Sequence, residues 1–83
     1  MKTKLFIYLL VWSVAFSFSQ TKVADTFFDN YAYVKASELY EQAVNDGDES
    51  IHVLTRLGDC YYNNSNSQKA SIWYKRALDK NIN

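Results

Sequence analysis

No proline occurs anywhere in this chain, and glycine occurs only at Gly47 and Gly58. Without proline, nothing in the sequence forces a helix to break. Two isolated glycines also exclude a glycine-rich loop that cradles phosphate. The single cysteine, Cys60, has no partner in the chain, so no disulfide framework supports the fold. Histidine likewise occurs once, as His52, and one imidazole with no Cys, His or Asp at ligand spacing does not make a metal site. Paired carboxylates and a nucleophile set beside a histidine are both missing. The 9 basic and 9 acidic residues balance, which removes the electrostatic ground for nucleic acid or an acidic partner. The chain is therefore read as a non-enzyme, with no catalytic residue, metal or cofactor assigned.

What is present is apolar. Hydrophobic residues make up 48% of the 83 and aromatics 17%, which argues against intrinsic disorder and bounds the chain to one small domain. The first nineteen residues differ from the rest. Lys2 and Lys4 make a positive start, Leu5 to Phe16 is an almost unbroken apolar run, and Ser17-Phe18-Ser19 puts small residues where a signal peptidase reads. The run falls short of the roughly twenty residues that a membrane-spanning helix needs. Residues 1–19 are therefore expected to be a signal peptide cleaved before Gln20, with a retained signal anchor as the alternative. Lys2 and Lys4 would leave with it while all 9 acidic residues stay, so the mature chain is mildly acidic.

The rest of the chain repeats itself. Ala36, Tyr40 and Ala43 return thirty-four positions later as Ala70, Tyr74 and Ala77, and Asp25 and Phe27 return as Asp59 and Tyr61. Thr21 with Thr55, Lys22 with Arg56, Val23 with Leu57, Ala24 with Gly58 and Phe28 with Tyr62 extend the match without a gap. Four amphipathic helices are expected. The first runs from about Thr21 to Asn30, with Val23, Ala24, Phe27 and Phe28 on one side. The second runs from about Tyr33 to Asn45, with Ala36, Leu39, Tyr40, Ala43 and Val44 in a stripe. Gly47 is placed to end it in a left-handed residue, and Asp48 to cap the next helix. The third runs from about Glu49 to Tyr62 and buries Ile51, Leu54, Leu57, Gly58 and Tyr61. Ser65 followed by Gln68 reads as a capping box for the fourth, whose face is Ala70, Trp73, Tyr74, Ala77 and Leu78. Small residues are expected where backbones cross, with Gly58 facing Ala70 and Ala24 facing Ala36.

In order and register, Leu54, Leu57, Gly58, Tyr61, Ala70, Tyr74 and Ala77 resemble the signature of a tetratricopeptide repeat. The resemblance implies an all-α fold of antiparallel helical hairpins in a solenoid. It divides the chain into the signal peptide at 1–19, a degenerate first repeat at 20–49 and a second repeat at 50–83. Ile82 and Ser65 depart from the family pattern, which usually has proline and glycine there. Fewer than two full repeats leave the last apolar helix without a cap, and arrays usually need about three. Either the chain belongs to a longer protein, or a partner or a second copy covers its end. A leader ending in Ser-Gln, then Phe28-Asp29-Asn30-Tyr31 and Lys35-Ala36-Ser37-Glu38-Leu39-Tyr40, resembles the beginning of certain OmpA-family envelope proteins. That implies a protein-interaction scaffold of the bacterial cell envelope, exported to the periplasm or associated with the outer membrane.

In the tetratricopeptide family, partners lie in a groove lined by the first helix of each hairpin. Position by position, the resemblance implies Thr21, Asp25, Phe28 and Asp29, then His52, Thr55, Asp59, Tyr62 and Asn63, as a groove for other proteins or peptides. The alternative is that these residues are only the solvated face of two amphipathic helices. Asp25 and Asp59 occupy positions where one subclass grips a terminal carboxylate with basic residues, so a basic or neutral segment is expected instead of an acidic tail. Packing is assigned to Ala24, Phe27, Ala36, Tyr40, Ala43, Leu54, Leu57, Gly58, Tyr61, Ala70, Tyr74 and Ala77, and Cys60 is read as packing too. Self-association through the open helical end, and a signal-anchored envelope subunit, are the alternative functions.

Overall fold

The computed structural model describes residues 20–82, so the expected signal peptide at 1–19 lies outside the described residues. The described chain is all helical: α1 over 20–29, α2 at Tyr33–Asn45, α3 at Ile51–Asn63 and α4 at Ser67–Ile82. Helix α2 has the bounds expected from its apolar stripe. Glu49 and Ser50, expected within α3, instead lie before it.

Cross-helix bonds give the directions. The start of α1 meets the end of α2 where the Gln20 amide donates to Gln42 Oε1 at 3.3 Å. The start of α3 meets the end of α4 through Glu49, which pairs with Arg76 at 2.7 Å and Lys80 at 3.6 Å. Both pairs are thus antiparallel. Between the pairs, Thr21 reaches Asp48 at 2.7 Å, Asp25 reaches His52 at 2.9 Å, and Arg56 lies 4.1 Å over the Phe28 ring. These contacts advance along both chains together, so α1 and α3 are parallel neighbours.

The sequence repeat recurs in the geometry. The Tyr40 hydroxyl donates to Asp25 Oδ1, and thirty-four residues later the Tyr74 hydroxyl donates to Asp59 Oδ1 at 2.5 Å. Ser37 donates to the Val34 carbonyl as Ser71 does to that of Gln68. The turn joining each pair is also the same. Tyr31 and Ser65 are both left-handed, at φ 63° and 61°. The amides of Tyr31 and Ala32 return to the carbonyls of Phe28 and Phe27, and those of Ser65 and Asn66 to Tyr62 and Tyr61. This is the Schellman closure. Gly47, at φ 108°, closes α2 in the same way, with the Gly47 and Asp48 amides returning to Val44 and Ala43.

Two expected caps lie elsewhere. Ser50, not Asp48, caps α3 and accepts from the Val53 amide at 3.3 Å, while Asp48 accepts from Thr21 and from the Ser50 amide. Asn66, not Ser65, accepts from the Lys69 amide at 3.2 Å at the start of α4. Ser65 is unsuited because the left-handed backbone that ends α3 is incompatible with the extended conformation of an N-cap. Ala32, the counterpart of Asn66, gives α2 no side-chain cap.

The core joins Ala24, Ala36, Tyr40, Val53, Leu57 and Cys60, with Phe27, Leu39, Val44, Tyr61 and Trp73 packed against it. Leu54, Ala43, Ala70 and Ala77 are also buried. Val23, Ile51 and Leu78, expected inside, are 45%, 46% and 61% exposed, because the described helices leave those faces uncovered. Ala24, Ala36, Gly58 and Ala70 are all buried, and the side chain nearest Gly58 is that of Tyr74. A Cβ there would lie 2.4 Å from the ring of Tyr74. Asp59 follows Gly58, so the hydroxyl that reaches Asp59 lays its ring across the glycine. Gly58→Ala should lower stability by about 1–3 kcal/mol through overpacking, although alanine is the better helix former by about 1 kcal/mol. Urea unfolding checks this, and a raised midpoint contradicts it.

Candidate functional site

The candidate face is the one that α1 and α3 share. On α3, His52, Arg56, Asp59 and Asn63 recur at helical spacing. On α1, Thr21, Asp25 and Phe28 do the same, and the two rows meet through the contacts that make the helices parallel. Asp25 Oδ1 binds both the Tyr40 hydroxyl and His52 Nε2, so it joins α2, α1 and α3 at one atom. Asp59 Oδ1 accepts from Tyr74, and the Asp59 backbone carbonyl accepts from the Asn63 amide group at 2.8 Å. Both carboxylates are partly exposed yet already committed to structure.

The other expected site residues are distributed along this face. Asp29, His52, Tyr62 and Asn63 are exposed, with Tyr62 at 67%, while Phe28 and Thr55 are half-buried. Sequence reasoning missed Arg56, which stacks on Phe28. Its place one turn after His52 was the available clue. Two described cavities lie away from this face. One of about 280 Å³ is bounded by Glu49, Leu54, Arg76, Asp79 and Lys80. The other, of about 440 Å³, is bounded by Tyr31, Tyr33, Val34, Lys35, Glu38 and Asn64.

The hydroxyls of Tyr40, Tyr61 and Tyr74, buried or partly so, and the buried thiol of Cys60 are held in their neutral forms. Burial raises Tyr40 and Tyr74 far above the ordinary phenol range, and the hydrogen bond to the neighbouring carboxylate of Asp25 or Asp59 adds to it. Burial, then the bond to Glu41, pushes Tyr61 up to about 12. Cys60 is pushed up to about 12, mainly by burial and then by Asp59. A thiol so placed has almost no thiolate at neutral pH and is inert. Among the described residues, no group of three or more His, Cys, Asp or Glu is placed to hold a metal ion, and no helix is long and apolar enough to cross a membrane.

Comparison with family models, curated proteins and solved structures found no match to this chain.

The raised values set a pH dependence. These groups are acids whose folded pKa exceeds the unfolded one, so their stabilising contribution is complete below about pH 8.5, the unfolded cysteine value. It declines as pH climbs through the phenol range toward the folded values. Urea midpoints should therefore be level at neutral pH and fall steadily from about pH 9 upward. A midpoint unchanged to pH 11 contradicts this assignment of the tyrosines and Cys60.

Proposed function

We propose that this chain is a tetratricopeptide-type helical module that holds other proteins or peptides against the face shared by α1 and α3. One observation carries the reading: the Tyr40–Asp25 bond and the left-handed Tyr31 turn recur as Tyr74–Asp59 and Ser65 at an interval of thirty-four residues. That interval is the tetratricopeptide period. In such arrays the first helix of each unit lines the concave surface that receives a partner. Here α1 and α3 are the first helices.

The face carries three carboxylates, Asp25, Asp29 and Asp59, against the one guanidinium of Arg56, beside the exposed aromatic surface of Tyr62. An extended segment with basic side chains suits it, since aromatic residues anchor and carboxylates set the preferred charge. Within the same proposal, residues 1–19 direct export and are removed before Gln20. The module then serves as a scaffold in the bacterial cell envelope, as the amino-terminal part of an OmpA-family protein. The mass of the exported product tests the leader, and a product retaining Met1 contradicts cleavage.

Fluorescence polarisation with two labelled peptides of equal length, one lysine-rich and one glutamate-rich, tests the groove. The basic peptide should bind more tightly, weaken as salt rises, and lose about tenfold in affinity with Asp29→Lys or Tyr62→Ala. Both positions are exposed, so unfolding free energies should stay within about 0.5 kcal/mol of the parent. Equal binding of the two peptides, unaffected by either substitution, rejects this face as the site.

A further inference from the structure

Among the described helices the contact between one pair and the next is made once, by α2 and α3, and burial identifies the residues involved. Where α3 covers α2, Ser37 is only 8% exposed, Tyr40, Leu57 and Cys60 are buried, and Val44 packs against the core. The Tyr61 hydroxyl donates to Glu41 Oε1 across that contact at 2.7 Å. Thirty-four residues later the same surface recurs on α4, where no described helix covers it. Ser71 and Lys75 are exposed, and Leu78, the counterpart of Val44, is 61% exposed. Thirty-four residues earlier, the covering surface recurs on α1, where no described helix lies beneath it. Val23, the counterpart of Leu57, is 45% exposed, and Thr26, the counterpart of Cys60, is exposed. The described helices thus carry both halves of the contact, one on α1 and one on α4.

We propose that α4 of one copy receives α1 of a second copy as α2 receives α3, joining identical chains head to tail. The central residues fit this occupant. Glu41 and Tyr61 are an acceptor and its donor; their counterparts, Lys75 and Phe27, have changed together into a cation and an aromatic ring. A lysine facing phenylalanine forms a cation–π contact where glutamate facing phenylalanine would leave a carboxylate unpaired. The chain uses this chemistry elsewhere, with Lys69 lying 5.2 Å over Tyr61 and Arg56 lying 4.1 Å over Phe28. The two surfaces differ, so the contact is heterologous and extends with concentration instead of closing at a dimer. It uses a different side of α1 from Thr21, Asp25 and Phe28, and it rests on the thirty-four-residue equivalence, not on what the α1/α3 face binds.

Sedimentation velocity of the purified chain, alone and as Val23→Glu and Leu78→Glu variants, tests the proposal, with circular dichroism to confirm helicity. The parent should associate as concentration rises. Each variant alone should stay monomeric, its association weakened more than about tenfold. An equimolar mixture should form a one-to-one dimer and nothing larger, because only one intact contact remains between the two. A parent that is monomeric at every concentration overturns the proposal. So does a Val23→Glu variant that still dimerises, which indicates α4 meeting α4, and so does a mixture that forms no dimer. If a glutamate variant loses helicity, Val23→Ser and Leu78→Ser take its place with the same expected pattern.

Discussion

A tyrosine hydroxyl bound to an aspartate carboxylate, once in each helix pair, is the constraint from which the rest of this structure follows. Tyr40 on α2 reaches Asp25 on α1, and Tyr74 on α4 reaches Asp59 on α3. Each bond fixes how far one helix slides along the other, and the second sets the Tyr74 ring against Gly58, beside the aspartate. A hydrogen bond to an ionised group contributes about 1.5–3 kcal/mol, and leaving its donor buried and unmade costs about as much again. In a chain this small that is a large share of the net stability. The same bonds hold Asp25 and Asp59 on the α1/α3 face, so the geometry of the candidate surface is inherited from the packing beneath it.

The turns follow a similar logic with a less favourable choice of residues. All three described helix ends close through a left-handed residue, and only α2 uses glycine there. Tyr31 and Ser65 hold the same backbone at a cost of about 1–2 kcal/mol each. The recurrence of that conformation at both positions shows that pair geometry, not local preference, dictates the turn. The α2–α3 packing then repeats as two surfaces, on α4 and α1, that no other described helix covers. The repeat thus accounts at once for the core and for the exposed Leu78 and Val23.

Much of the fold was legible in the sequence because amphipathic spacing and the repeat are local properties. The stripe from Ala36 to Val44, followed by Gly47, was enough to bound α2 at both ends. Caps were less legible. Asp48, Ser50, Ser65 and Asn66 are all competent capping residues, and which one acts depends on which must be left-handed to end the preceding helix. The role of Gly58 was legible as a need for space, but not what fills it, since the ring of Tyr74 is drawn there by Asp59. On the candidate face, the residues on α1 and α3 could be named from their register. The convergence of Tyr40 and His52 on one oxygen of Asp25, and of Arg56 on Phe28, joins residues fifteen to twenty-eight positions apart. No local pattern records such meetings.

The most direct test is a pair of double-mutant cycles by urea unfolding, one combining Tyr40→Phe with Asp25→Ala and the other Tyr74→Phe with Asp59→Ala. Equivalent bonds that each lock a helix pair predict similar coupling energies in the two cycles, each above about 1 kcal/mol. A coupling near zero in either cycle contradicts the account.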